Sequence, residues 1–215
     1  MKNNSSVFFR LACLLLLVFI AFMFYRFQKK EKEESSESIS IHNNAALSVI
    51  HSRKSVRNFV PGKLVSEEDI QKIVRAGMAA PSGRDLRPWE IIVINDRMAM
   101  DTLATQLPYA KMLETATLAI VVCGDTARSP LWVYDCSAVT QNILLAAEAL
   151  GLGAVWTAAH PYEDRMSAVA NAVGLPASVL PLAVIPVGYP NGDFEPKEKY
   201  DETKVHFNRW TTNAK

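Results

Sequence analysis

His51-Ser-Arg-Lys-Ser-Val-Arg-Asn-Phe-Val-Pro-Gly62, followed by Ala80-Pro-Ser-Gly-Arg-Asp-Leu-Arg-Pro-Trp89, is the pair of stretches on which the reading of this chain turns. The first gathers Arg53, Lys54, Ser55 and Arg57 within five residues, directly after a short helical segment. Three cations and a hydroxyl that close together form a receptor for a dianionic phosphate group. A solvated basic turn is the other reading of the same charges. In the second stretch Gly83 suits a backbone that must approach a ligand closely, and Ser82 offers a hydroxyl.

Outward from these stretches the chain alternates helix and strand signals. Ala45 to Ser52 reads as a short helix that delivers the basic cluster. Ser66 caps a second helix whose first turn is Glu-Glu-Asp, with Ile70, Ile73, Val74, Gly77 and Met78 at helical spacing and Pro81 beyond its end. Trp89 to Ile94 and Leu118 to Cys123 are apolar enough to be strands in a covered sheet. Leu131 to Leu150 predicts a long helix, apolar nearly all round, that stops at Gly151. It is buried either in one chain's core or between two chains. Ala154 to Ala158, Leu182 to Val187 and a helix from Glu163 to Val173 complete the set. The expected fold is α/β, an α+β sandwich with a mixed central sheet flanked by helices. No Gly-x-Gly-x-x-Gly follows a strand, so a dinucleotide-binding Rossmann unit is not indicated.

Read together with Asp135-Cys-Ser-Ala-Val-Thr-Gln-Asn142, Gly151-Leu-Gly153, Val187-Gly-Tyr-Pro190 and Lys204-Val-His-Phe-Asn-Arg-Trp210, the two opening stretches resemble the FMN-dependent nitroreductase family in order and spacing. The likeness runs from about Ala45 to Trp210. It implies an intertwined homodimer with FMN at the interface. It also implies an enzyme passing electrons from NAD(P)H through the flavin to a nitroaromatic, quinone or similar acceptor, by ping-pong kinetics. By the same resemblance Arg53, Ser55 and Arg57, with Lys54 beside them, contact the FMN phosphate and ribityl chain. Lys197 and Lys199 lie where family members return a basic residue to that phosphate, although an exposed charged tail would look the same.

The resemblance further assigns Pro81, Ser82, Gly83, Asp85 and Arg87 to the isoalloxazine edge. Here the chain departs from the common pattern, with Asp85 for Asn and Arg87 for Gln. An ionised Asp85 would accept from flavin N3–H, and Arg87 would stabilise charge at N1/O2; an Asp85–Arg87 or Asp85–Arg84 pair that only orders the loop is the plainer alternative. Thr157, Ala158 and Ala159 fall where the family presents backbone N–H groups to flavin N5 and O4. Tyr109, Trp132 and Tyr134 are candidates for the substrate face, and Trp89 reads as core. No side chain is assigned as catalytic acid or base, since the cofactor carries the redox chemistry. Two alternatives share the flavin residues: a flavin-binding or sensor protein without turnover, and a reductive dehalogenase of the family's deiodinase branch.

The net charge of +1, with both signs interspersed, lacks the clustered basic excess of a nucleic-acid surface. Four histidines without ligand spacing argue against a metal, and Cys13, Cys123 and Cys136 read as small buried hydrophobes. Residues 1–27 form a separate hydrophobic segment, 28–44 a polar linker and 45–215 the folded domain. The apolar run Leu11 to Tyr25 would rise about 22 Å as a helix, short of a hydrocarbon core of roughly 30 Å unless Val7 to Phe9 extend it. No small-x-small cleavage site follows, which favours an uncleaved membrane anchor over an exported chain with a signal peptide. Arg26, Lys29, Lys30 and Lys32 then place the domain on the cytoplasmic side.

Overall fold

A computed structural model describes residues 15–31 and 44–210 and divides the chain into two compact units, 1–48 and 49–215. In the first unit residues 15–31 form helix α1, with Leu15 to Tyr25 solvent-exposed. The helix continues through Gln28 to Glu31, where a linker was expected. Among the described residues no helix is long and apolar enough to cross a membrane. The eleven residues before Arg26 rise only about 16 Å, and Leu11 to Leu14 lie outside the described residues. The expected membrane anchor therefore finds no support here.

Helix α2 (Ala45–Ser52) is capped by Asn44, whose Oδ1 accepts the N–H groups of Ala46 and Leu47. Helix α3 (Glu67–Met78) starts as its sequence predicts: Ser66 Oγ accepts the Asp69 N–H at 3.1 Å, with three acidic residues in the first turn. Next come β1 (Trp89–Ile94), α4 (Arg97–Gln106), β2 (Leu118–Asp125), α5 (Trp132–Ala149), β3 (Gly153–Ala154), β4 (Thr157–Ala158), α6 (Glu163–Val173) and β5 (Val179–Gly188). Helix α4 lies in a stretch for which the sequence suggested no element. The expected strand at 154–158 is broken into two short pairings, β3 and β4, both against β5.

The sheet runs β1-β2-β5-β3, with β4 also on β5. All four ladders are antiparallel, so the expected mixed character reduces to one isolated parallel bridge, Ser55 to Ala154. Strand β2 is central and sealed on both faces. Leu118, Ile120 and Val122 face a layer with Ile73, Val139 and Ile143 of α3 and α5. Ala119, Val121 and Cys123 face a layer with Met100, Leu103 and Val169 of α4 and α6. The period of two in a strand sorts consecutive residues to opposite layers, and this makes the sandwich. Strand β1 is an edge strand, with Glu90 exposed and Val93 38% accessible, less covered than its apolar sequence suggested. Helix α5 buries one face against the sheet while Tyr134 stands out in solvent at 73% exposure.

Several of the sequence's core assignments hold. Trp89 is buried, and so are Cys123 and Cys136, whose thiols burial pushes up to about 12. The Cys136 thiol donates to the Cys123 carbonyl at 3.2 Å. Cys13 lies outside the described residues.

Candidate functional site

The basic segment leaves α2 and is stitched along the sheet's far edge. Val56 donates its N–H to the Ala154 carbonyl at 3.1 Å, and Val60 to the Tyr189 carbonyl at 2.9 Å. Asn58 exchanges hydrogen bonds with the backbone of Asn191. Val56 and Phe59 are driven into the core, which leaves Ser55 and Arg57 exposed and Arg53 half-buried at the surface. Gly153 permits this seating: a Cβ there would stand 2.6 Å from Val56 Cγ1. Sequence position and burial together thus hold Arg53, Ser55 and Arg57 on one short run of outward-facing backbone.

Lys54 takes a different course. Its Nζ lies 2.9 Å from Glu148 Oε1 of α5, in a pair whose side chains are only 26% and 12% exposed. The ammonium is engaged by this carboxylate, so the side chain is directed to α5.

The loop of the second stretch is fixed from below. Asp135, buried on the first turn of α5, accepts the Gly83 N–H at 2.9 Å and the Ser129 hydroxyl at 3.4 Å. A Cβ on Gly83 would meet Leu131 Cδ1 at 2.7 Å, so the loop sits close over the start of this helix. Asp135 was quoted only as part of a motif, and its supporting role needed the tertiary contact to become visible. Ser82 Oγ accepts the Arg87 N–H at 3.0 Å. Arg84, Asp85 and Arg87 all have left-handed backbones, with φ of 54°, 56° and 48°. Strain of about 1–2 kcal/mol per such residue persists only where the surroundings impose it.

Asp85 and Arg87 face each other in a two-pronged pair, with Arg87 Nε 2.7 Å from Asp85 Oδ1. The guanidinium holds the Asp85 carboxyl below its ordinary range. The loop-ordering pair, the plainer of the two readings, is what the structure contains. Pro81 is exposed at the loop's entry.

Strand β4 brings the third group. Arg57, Tyr109, Trp156, Thr157, Ala158 and Arg165 line one cleft of about 200 Å³. Three residues of the expected site, Arg57, Thr157 and Ala158, are therefore neighbours in space. Ala159 is turned elsewhere: its N–H and that of His160 both bond the Leu182 carbonyl, at 3.0 and 3.1 Å. Thr157 Oγ1 and Arg165 Nε are buried without a hydrogen-bond partner in this cleft. Sequence reading missed Arg165. It sits on α6, its Cζ 3.8 Å from the Tyr162 ring centroid, and its Nη1 donates to the Ala158 carbonyl at 3.4 Å. Of the three aromatic candidates only Tyr109 lines the cleft. Trp132 is buried, edge-on to His160 at 5.0 Å, and Tyr134 is exposed.

Lys197 and Lys199 are exposed on the segment after β5. Glu198 between them is held below its ordinary pKa by the N–H groups of Tyr200 and Lys199, with a smaller contribution from His51. Among the described residues no cluster could hold a metal ion.

Comparison with known proteins gives a consistent answer. The family model described as "Nitroreductase family" matches residues 50–116 and 96–189. A Methanothermobacter thermautotrophicus protein named "Putative NADH dehydrogenase/NAD(P)H nitroreductase" is 40% identical over 167 residues, covering 76% of this chain and 87% of that protein. A crystal structure from Bacteroides thetaiotaomicron bearing the same name is 59% identical, with a TM-score of 0.76, and covers 78% of this chain and 99% of its own. An FMN-dependent nitroreductase from Clostridium difficile is 27% identical with a TM-score of 0.72, over 75% of this chain and 98% of its own. The chain belongs to the nitroreductase family.

Proposed function

We propose that this chain is an FMN-dependent oxidoreductase that takes electrons from NADH or NADPH and delivers them to an electron-poor acceptor such as a nitroaromatic or a quinone. Family membership carries the class of chemistry, and the relatives above bear the names NADH dehydrogenase/NAD(P)H nitroreductase and FMN-dependent nitroreductase. The observation that carries it to this chain's residues is the shared cleft: Arg57 from the basic segment and Thr157 and Ala158 from β4 meet around one cavity.

FMN fits that arrangement. Thr157 Oγ1 is a buried hydroxyl lacking a partner, and no carboxylate lines the cleft, so a neutral or anionic ring edge suits it. Arg53, Ser55 and Arg57 would hold the phosphate and ribityl chain, with Lys197 and Lys199 returning charge to the same end. Ser82, Gly83 and the Asp85–Arg87 loop would border the ring, and Ala158 would bring backbone close to it. When bound, FMN supplies the redox chemistry, accepting two electrons from reduced nicotinamide and passing them on. The protein's part is to grip the phosphate and orient the ring.

A homodimer belongs to this reading. Tyr134, Phe207 and Trp210 are 73%, 82% and 78% exposed, apolar surface of the kind a second copy would cover.

The test is spectroscopic. The purified protein should be yellow, and anaerobic NADH or NADPH should bleach its flavin band. The double variant R53Q/R57Q should lose the chromophore while keeping its circular dichroism. Colour that survives the double variant undiminished sinks the assignment of the phosphate grip. A flavin that neither nucleotide bleaches points to the second reading, a flavin-binding protein without turnover.

A further inference from the structure

We infer that Arg165 is a flavin-facing positioning residue that favours the reduced cofactor over the oxidised one; this deepens the FMN reading above and rests on it. The cleft that joins Arg57 to Thr157 and Ala158 has Arg165 as its second cation and contains no carboxylate. The guanidinium is held in place without being neutralised. It stacks on the Tyr162 ring at 3.8 Å, lies 6.0 Å from the Tyr109 ring, and its Nη1 reaches the Ala158 carbonyl at 3.4 Å. Its Nε is buried and has no partner. An aromatic face and a carbonyl oxygen fix a guanidinium by weak contacts and leave its full charge available.

Arg87 is the contrasting case. From sequence it was the candidate for stabilising charge on the flavin, yet Asp85 occupies its guanidinium on two sides, and both side chains are mostly exposed. A neutralised, solvated cation exerts little field. Arg165 has the opposite combination: no opposing carboxylate in its cleft, partial burial, and an unpaired N–H donor. Two-electron reduction adds negative charge to the isoalloxazine ring, and a fixed cation beside it stabilises the charged form selectively. Binding oxidised and reduced FMN unequally is the same quantity as a shift in reduction potential.

The experiment measures dissociation constants for oxidised and reduced FMN, and the bound flavin's midpoint potential, in wild type, R165M, R165Q and R165K. R165M keeps the apolar stem over Tyr162, and R165Q is the second neutral variant should R165M not fold. K72Q, at an exposed residue on α3, controls for loss of one positive charge anywhere on the molecule. The expected result is a roughly tenfold loss of the preference for reduced FMN in both neutral variants, equal to about 30 mV for a two-electron couple. R165K should recover most of it, and K72Q should show none of the loss. Equal weakening of both FMN forms, or an unchanged potential in the neutral variants, overturns the inference. A wild-type protein that takes up no FMN overturns the cofactor reading instead, so the two failures are distinguishable.

Discussion

Asp135 is a buried carboxylate whose acceptors serve the Gly83 N–H and the Ser129 hydroxyl. Asp135→Ala leaves the loop's N–H unsatisfied and should cost about 1–3 kcal/mol of stability while weakening FMN binding. Asp135→Asn retains an acceptor and should cost less; thermal melts and flavin titration of the two variants would show the order. Lys54→Met strands the Glu148 carboxylate at 12% exposure and should cost about 1–3 kcal/mol, with FMN affinity changed less than twofold. A large loss of FMN at unchanged stability would return Lys54 to the phosphate. The sequence displayed the cluster at 53–57 plainly because its members are adjacent in the chain. It could not separate Lys54 from its neighbours, since the partner that claims it lies on α5, ninety-four residues away. Arg165 was invisible for a related reason: its significance arises from a cleft that joins its own stretch, 155–165, to Arg57 and Tyr109 far away in the chain.

At the scale of elements, caps and periodicity were legible and pairings were not. The Ser66 cap, α3, α5 and α6 follow from local signals that act within one turn of helix. Helix α4 was not foreseen, although Asp96 caps it, with Oδ1 accepting the Ala99 N–H at 2.8 Å. The division of 153–158 into β3 and β4 depends on β5, which receives both. The contact between β3 and the basic segment is tight enough to test. Gly153→Ala drives a methyl against Val56 and should cost about 1–3 kcal/mol by overpacking, with loss of FMN affinity as the segment shifts. Adding Val56→Ala should restore much of both. Additive losses in the double variant would mean that Gly153 matters for another reason.

For the whole molecule, the α+β sandwich was readable because fully apolar strands and amphipathic helices admit few layer arrangements. The antiparallel sense of the sheet was not, since strand direction is set by connections that composition does not encode. The proposed dimer predicts sedimentation of the 23.8 kDa chain at about twice its mass, and Tyr134→Glu, placing charge on the exposed side of α5, should shift it toward monomer.

Strand β2 has a consequence of its own. Every residue from Leu118 to Gly124 is buried, with neighbours on both sides in the sheet and helices on both faces. Its central amides are therefore expected to be the slowest to take up deuterium in heavy water, at the rate set by complete unfolding. The Ile120 to Val122 amides would then be an internal clock for the domain. They would lengthen their protection when ligand is added, in proportion to how tightly it binds.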